Sequence, residues 1–255
     1  MIRHLIPVLL LMLPAHLAGG EISDLSGAGT DAERDKLRFS NTQRWNPGCL
    51  ELSRATPRFL PDDWEKRIVL PAPPANSSAR TSAELAHLHE VREARSAKRP
   101  EVRQELTSDG FRFGKRSYDE MAKSGRTPAT RSLFDALTHD LQIVIFSLKH
   151  RFDRVRPSVL DPKLGHLFPV PDHPAYPSGH STQAYTIAFM LRELDPEHAD
   201  ACLADALRIA RNREIAGFHY PSDTDAGRLA ARQLVDLLLA DPEFRTLVED
   251  AKREW

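Results

Sequence analysis

Residues 133–157 read LFDALTHDLQIVIFSLKHRFDRVRP, and this stretch decides the fold. Leu133, Leu137, Leu141, Ile145, Leu148 and Phe152 recur three or four residues apart, the spacing that lines one face of an α-helix. Lys149 sits on or beside that apolar stripe, with Ile145 and Leu141 one and two turns behind it. Arg156 follows seven residues later, and Pro157 disfavours helical backbone at the residue before it. The spacing therefore predicts a helix over 128–155 that brings two cations to one place at its end. A lysine and an arginine there can also do no more than cap the last carbonyls and complement the helix dipole.

Further along the chain, Pro177-Ser178-Gly179-His180 reads as a turn whose serine caps a helix carrying Ala184, Ile187, Ala188, Leu191 and Leu194. The free N–H groups of such a helix start face anions. A Ser-Gly-His turn standing alone is also an ordinary helix start. In a third cluster, Cys202, Ala206, Ile209 and Ala216 form one helix face and Arg213 falls on it. A buried arginine needs an anionic partner. His219 precedes Asp223 by four residues, close enough for the carboxylate to accept from one ring nitrogen and leave the other as a nucleophile. Read separately, Asp223 is a helix cap and His219 a loop histidine.

The remaining pattern is helical too. Helices are expected over 81–99, 101–123, 128–155, 178–194, 197–217, 223–240 and 242–253, with Thr127-Pro128 and Asp241-Pro242 as start signals. No alternating strand pattern and no internal repeat appears, so the expected fold is all-α, a single-domain helical bundle over 81–255. Residues 21–80 are polar, carry Pro47-Gly48 and the Pro71 to Pro74 run, and read as a largely irregular arm around that domain.

Taken in order, Lys149-x6-Arg156-Pro157, Pro177-Ser178-Gly179-His180 and Arg213-x5-His219-x3-Asp223 resemble the signature of the type 2 phosphatidic acid phosphatase superfamily. That superfamily also contains the vanadium-dependent haloperoxidases and the class A bacterial non-specific acid phosphatases. Leu70-Pro71-Ala72-Pro73-Pro74-Ala75 is similar to the N-terminal part of the class A enzymes, so the resemblance spans roughly residues 69–240. Asn212 departs from it, standing where the family usually has serine before the arginine.

The resemblance implies an acid phosphatase for small phosphomonoesters that works through a phosphohistidine, with neither metal nor cofactor. His219 would attack phosphorus, Asp223 would orient it, and His180 would protonate the leaving oxygen. Lys149, Arg156, Ser178, Gly179 and Arg213 would hold the phosphoryl oxygens. The same pocket loaded with vanadate makes a haloperoxidase. An exported lipid or isoprenoid phosphate phosphatase and a non-catalytic phosphate binder are further readings.

Composition narrows the setting. Arg3, an apolar run from Leu5 to Leu13 and the small residues Ala18, Gly19 and Gly20 form a secretory signal pattern over 1–20, too short for a membrane span. The protein is accordingly expected in the periplasm or outside the cell. Its formal charge of −1 is near balance and falls by one with Arg3, which argues against a nucleic-acid partner. No segment after the leader has the length of uninterrupted apolar sequence that a membrane-spanning helix needs. Whether the protein forms a homo-oligomer is left open at this point.

Cys49 and Cys202 could pair in an oxidising compartment, or Cys202 could stay a free core thiol. His87 and His89 with Glu90 do not share a helix face and are not expected to bind metal. His139 and His166 read as surface or structural residues. Asn76-Ser77-Ser78 matches a glycosylation acceptor.

Overall fold

The computed structural model describes residues 29–94, 127–164 and 169–255. The expected leader, the expected helix over 101–123 and His166 lie outside the described residues. Among the described residues all regular structure is helical, in agreement with the all-α expectation.

The long helices are α5 (Ala79–Ala94), α6 (Pro128–Phe152), α8 (Gly179–Leu194), α9 (Ala199–Ile215), α10 (Pro221–Ala240) and α11 (Pro242–Lys252). Short helices α1 (Asp31–Arg34), α2 (Phe39–Thr42), α3 (Pro47–Leu52), α4 (Trp64–Arg67) and α7 (Pro157–Leu160) punctuate the rest. The core is built from the stripes that the sequence marks. Leu133, Leu137, Leu141, Ile145 and Leu148 of α6 meet Ala184, Ala188 and Leu191 of α8, Ala206 and Ile209 of α9, and Ala230, Leu234 and Leu238 of α10. Phe244 and Val248 of α11 close the bundle against α6.

Helix boundaries follow their caps. Helix α6 ends at Phe152, earlier than the expected residue 155, because Asp153 turns left-handed at φ 47°, ψ 37°. Asp153 still donates its N–H to the Lys149 carbonyl at 2.9 Å, and its carboxylate accepts from the Ser40 amide at 3.1 Å. Aspartate tolerates this conformation better than most residues. Helix α10 begins at Pro221, two residues before the expected 223, since proline fits the first helical position, where no amide hydrogen is needed.

Residues 29–78 run over the bundle and add to its core through Phe59, Trp64, Ile68 and Leu70. Buried Asp140 of α6 anchors this segment by accepting from the Arg58 and Phe59 amides, each at 2.7 Å. Asn76 is buried as well, and its side chain donates to the carbonyls of Arg34 and Leu37 at 2.8 and 3.1 Å. The side-chain nitrogen that a glycosylation acceptor would need is thus occupied inside the fold.

Helices α8 and α10 cross with their backbones nearly touching. A Cβ on Gly227 would lie 2.8 Å from the Ser178 carbonyl oxygen and 2.8 Å from Ser181 Cβ. Ser181 Oγ uses this approach to donate to the Thr224 carbonyl at 2.8 Å, and the Ser178 amide donates to the Asp223 carbonyl at 2.9 Å. The start of α8 is thereby locked to the start of α10, and the site forms where they meet.

Candidate active site

Three chain segments converge at one place: the end of α6 with the turn after it, the Pro174 to His180 turn into α8, and the end of α9 with the connection into the start of α10. Lys149 is completely buried, and its Nζ donates to the carbonyls of Pro174 and Pro177 at 2.7 Å and of Ala175 at 3.4 Å. A Cβ on Gly179 would lie 3.5 Å from Lys149 Cε, so the lysine runs directly beneath the turn. Burial pushes its pKa well below the ordinary lysine value, and repulsion from Arg156 pushes the same way.

Arg156 is also completely buried, in extended backbone just ahead of α7. It donates to the His173 carbonyl from Nε at 3.0 Å and from Nη2 at 2.7 Å, and to the Phe218 carbonyl from Nη1 at 2.8 Å. Nη1 lies 3.2 Å from His219 Nε2, and Nη2 lies 3.0 Å from His173 Nδ1. Burial lowers its pKa to about 9; Asp223 opposes that shift, and Arg213 adds to it by repulsion. Arg213 lies at the end of α9, buried, with its guanidinium 5.0 Å from the Phe218 ring centre. Gly217 makes the turn between them at φ 77°, a conformation that glycine adopts without strain. Asn212 is buried next to Arg213.

Ser178 caps α8, accepting the Ser181 amide at 3.3 Å. The Gly179 amide stands at the first position of the helix, among the N–H groups that a helix start leaves without an intrahelical acceptor. His180 is half-buried there.

His219 and Asp223 meet as their spacing suggests. His219 Nδ1 lies 3.3 Å from Asp223 Oδ2, which also accepts the Tyr220 amide at 3.0 Å. An ionised carboxylate only accepts and a guanidinium only donates, so Nδ1 carries the proton and Nε2 presents its lone pair toward Arg156. Burial drives the His219 pKa well below the ordinary value, reinforced by Arg156, Lys149, Arg213 and His180. The lowered pKa favours the neutral imidazole, with Nε2 as its unprotonated nitrogen.

All eight residues singled out in the sequence thus lie on the converging segments. Three more belong to the surroundings and escape sequence reading. Arg154 donates to Asp223 Oδ1 at 2.6 Å, Glu84 of α5 lies behind it, and His173 lies against Arg156. Arg154 carries at most a faint signal, its place two residues before Arg156.

The other discounted histidines pair singly with carboxylates. His87 lies 3.7 Å from Glu214, His89 2.7 Å from Asp161 and His139 2.9 Å from Asp140. Among the described residues no group of three or more His, Cys, Asp or Glu could hold a metal ion. Cys49 and Cys202 are both buried and free, which corrects the pairing that an export signal allowed. Each thiol is pushed up to about 11 by burial.

Buried basic side chains crowded around a histidine are an arrangement suited to an anion. Comparison with known proteins agrees. Residues 136–244 match the PAP2 superfamily. The chain is 37% identical over 81 residues to a non-specific acid phosphatase of Providencia stuartii, covering 32% of this chain and 33% of that protein. It is 36% identical over 80 residues to an acid phosphatase of Zymomonas mobilis, and 31% identical over 80 residues to a non-specific acid phosphatase of Salmonella typhimurium. Those alignments cover 31% of this chain in each case, and 30% and 32% of the respective relatives. The alignments thus span about a third of the length of these curated relatives. The matched residues contain Lys149, Arg156, Ser178, Gly179, His180, Arg213, His219 and Asp223, and over this part of its length the chain is similar to the PAP2 superfamily.

Proposed function

We propose that this protein is an acid phosphatase that hydrolyses small phosphomonoesters through a phosphohistidine on His219. The observation that carries this reading is the His219 geometry: Nδ1 held by Asp223, Nε2 unprotonated, and the ring surrounded by Lys149, Arg156 and Arg213. Phosphatase names among the relatives support the same reaction class.

An entering phosphate monoester supplies the negative charge that the buried cations lack. Its oxygens take the donors of Lys149, Arg156 and Arg213 together with Ser178 and the Gly179 amide, and Arg156 Nη1 moves from Nε2 to a phosphoryl oxygen. Nε2 attacks phosphorus as the ester oxygen departs opposite, and His180 gives that oxygen a proton. The new bond makes the imidazole cationic, and Asp223 stabilises it through Nδ1–H. Water, losing a proton to His180, then displaces His219 and releases inorganic phosphate. The side-chain cations carry the electrostatic load that divalent ions carry elsewhere, so the reaction is proposed to need no metal.

The leader pattern over 1–20 suits action in the periplasm or outside the cell, where an exported enzyme would meet phosphomonoesters. The test is one side-by-side assay of the protein on a panel of phosphomonoesters with and without EDTA, and on bromide with peroxide and vanadate. Phosphate release that survives chelation supports the reading. Bromide oxidation without phosphate release would replace it with a peroxidase, and chelation-sensitive release would reject the metal-free mechanism.

A further inference from the structure

Behind the proposed nucleophile lies a buried polar chain that the family signature does not include. Asp223 has two carboxylate oxygens with separate partners. Oδ2 faces His219 Nδ1 and accepts the Tyr220 amide, whereas Oδ1 receives Arg154 Nη1 at 2.6 Å. The same Nη1 reaches Ser222 Oγ at 2.8 Å, and Nη2 reaches Glu84 Oε2 at 3.3 Å. Glu84 in turn accepts the Ser222 amide on Oε1 at 3.1 Å and the Ser222 hydroxyl on Oε2 at 2.9 Å. The Tyr220 ring lies under the Arg154 guanidinium, 3.8 Å from its carbon. Both Glu84 and Arg154 are buried, and Asp223 is fully so.

We infer that Arg154, braced by Glu84, is a positioning residue for His219: it occupies Asp223 Oδ1 so that Oδ2 alone is left to hold the Nδ1 proton. The inference rests on the phosphohistidine reading, which gives His219 its task. The charges alternate along the chain, Glu84 negative, Arg154 positive and Asp223 negative, so each buried ion has an opposite neighbour. A guanidinium fork can serve Asp223, Ser222 and Glu84 together, and a lysine ammonium cannot reproduce that planar geometry. Arg154 touches no part of the proposed phosphoryl pocket in the way Lys149 and Arg156 do. Its loss should therefore reach chemistry through the orientation of His219 and not through substrate binding. Helix α5 supplies Glu84 from outside the matched family domain, so the chain completes the site with its own N-terminal portion.

The experiment uses the full chain and the variants Arg154→Met, Arg154→Lys and Glu84→Gln. One readout is nitrogen-15 NMR of His219 in the substrate-free protein, and the other is kcat and KM with nitrophenyl phosphate. Wild type should show a single tautomer protonated on Nδ1. Arg154→Met should show a mixture of tautomers, with kcat lower by about 10²-fold and KM within about threefold, as expected for a loosened orienting partner. Arg154→Lys and Glu84→Gln should each lose roughly tenfold in kcat, so that lysine restores part of what methionine removes. A folded Arg154→Met with wild-type kcat and an unchanged His219 spectrum, or a loss confined to KM, would overturn the inference. If Arg154→Met does not fold, Arg154→Lys and Glu84→Gln decide it on the same two readouts. Absence of a phosphohistidine in wild type would reject the reaction, while the tautomer measurement would still decide whether Arg154 positions His219.

Discussion

Gly227 offers a perturbation whose size can be worked from the structure. Replacing it with alanine puts a methyl carbon 2.8 Å from the Ser178 carbonyl oxygen, 2.8 Å from Ser181 Cβ and 2.9 Å from Ser181 Oγ. Ordinary contacts to carbon lie near 3.5–4.0 Å, so α8 and α10 must part by about 0.7–1 Å at their crossing. The Ser178 carbonyl is main chain and cannot rotate away. Overpacking of this kind costs about 1–3 kcal/mol, against a gain of about 0.5–1 kcal/mol from replacing a helical glycine by alanine. The net expectation is destabilisation by about 1–2 kcal/mol and a Tm lower by roughly 2–8 °C. The displacement falls on the cap of α8 and on the bond from the Ser178 amide to the Asp223 carbonyl. A shift near 1 Å in a catalytic group can cost about 10²-fold, so kcat/KM should fall by about 10–10²-fold. The assay is a thermal melt and steady-state kinetics on Gly227→Ala. A higher Tm with unchanged kcat/KM would show that the interface absorbs the methyl group and would refute the close-approach argument.

Arg156→Ala should lower kcat/KM by about 10²–10³-fold in steady-state assay, the scale expected for losing one donor to developing charge. His219 and His173 have pKa values lowered first by burial, so the unfolded chain binds more protons than the folded one below the ordinary histidine value. Stability should accordingly be complete above about pH 6.5 and decline as pH falls toward 5, read by calorimetry; a Tm flat across that range would contradict it. Ellman's reagent should find no reactive thiol in the folded protein and two in the denatured, unreduced protein, since Cys49 and Cys202 are free and buried. Asp140→Asn should cost about 1–3 kcal/mol in denaturant melts, because one of the Arg58 and Phe59 amides loses its acceptor.

The helices were legible from local spacing, whereas the candidate site residues were singled out by the order of three clusters that together resemble a known family. Leu133 to Phe152 repeats at helical period, and the Lys149, His180 and His219 clusters each lie within one or two turns of a recognisable helix end. Residues that act across the fold left little trace. Glu84 is more than sixty positions from Arg154, and nothing local tells a buried glutamate on α5 from a solvated one. Gly227 carries no distinguishing mark in the sequence, and its meaning appears only when the Ser178 carbonyl is opposite. The end of α6 moved because Asp153 pairs with Ser40, a partner over a hundred residues away. The two cysteines show the limit of compartment arguments, since an even count allows a bridge but only geometry decides it.

The central claim is that His219 becomes covalently bonded to phosphorus, and trapping with a labelled phosphomonoester, quenched into alkaline detergent, tests it most directly. Brief incubation of the wild-type protein at acidic pH, with EDTA present, should yield an acid-labile, base-stable label that maps to the peptide containing His219. His219→Ala, folded by circular dichroism, should retain no label and no turnover on alkyl or nitrophenyl phosphate. A label that persists in His219→Ala, or wild-type turnover without any trapped histidine phosphate, would contradict the account.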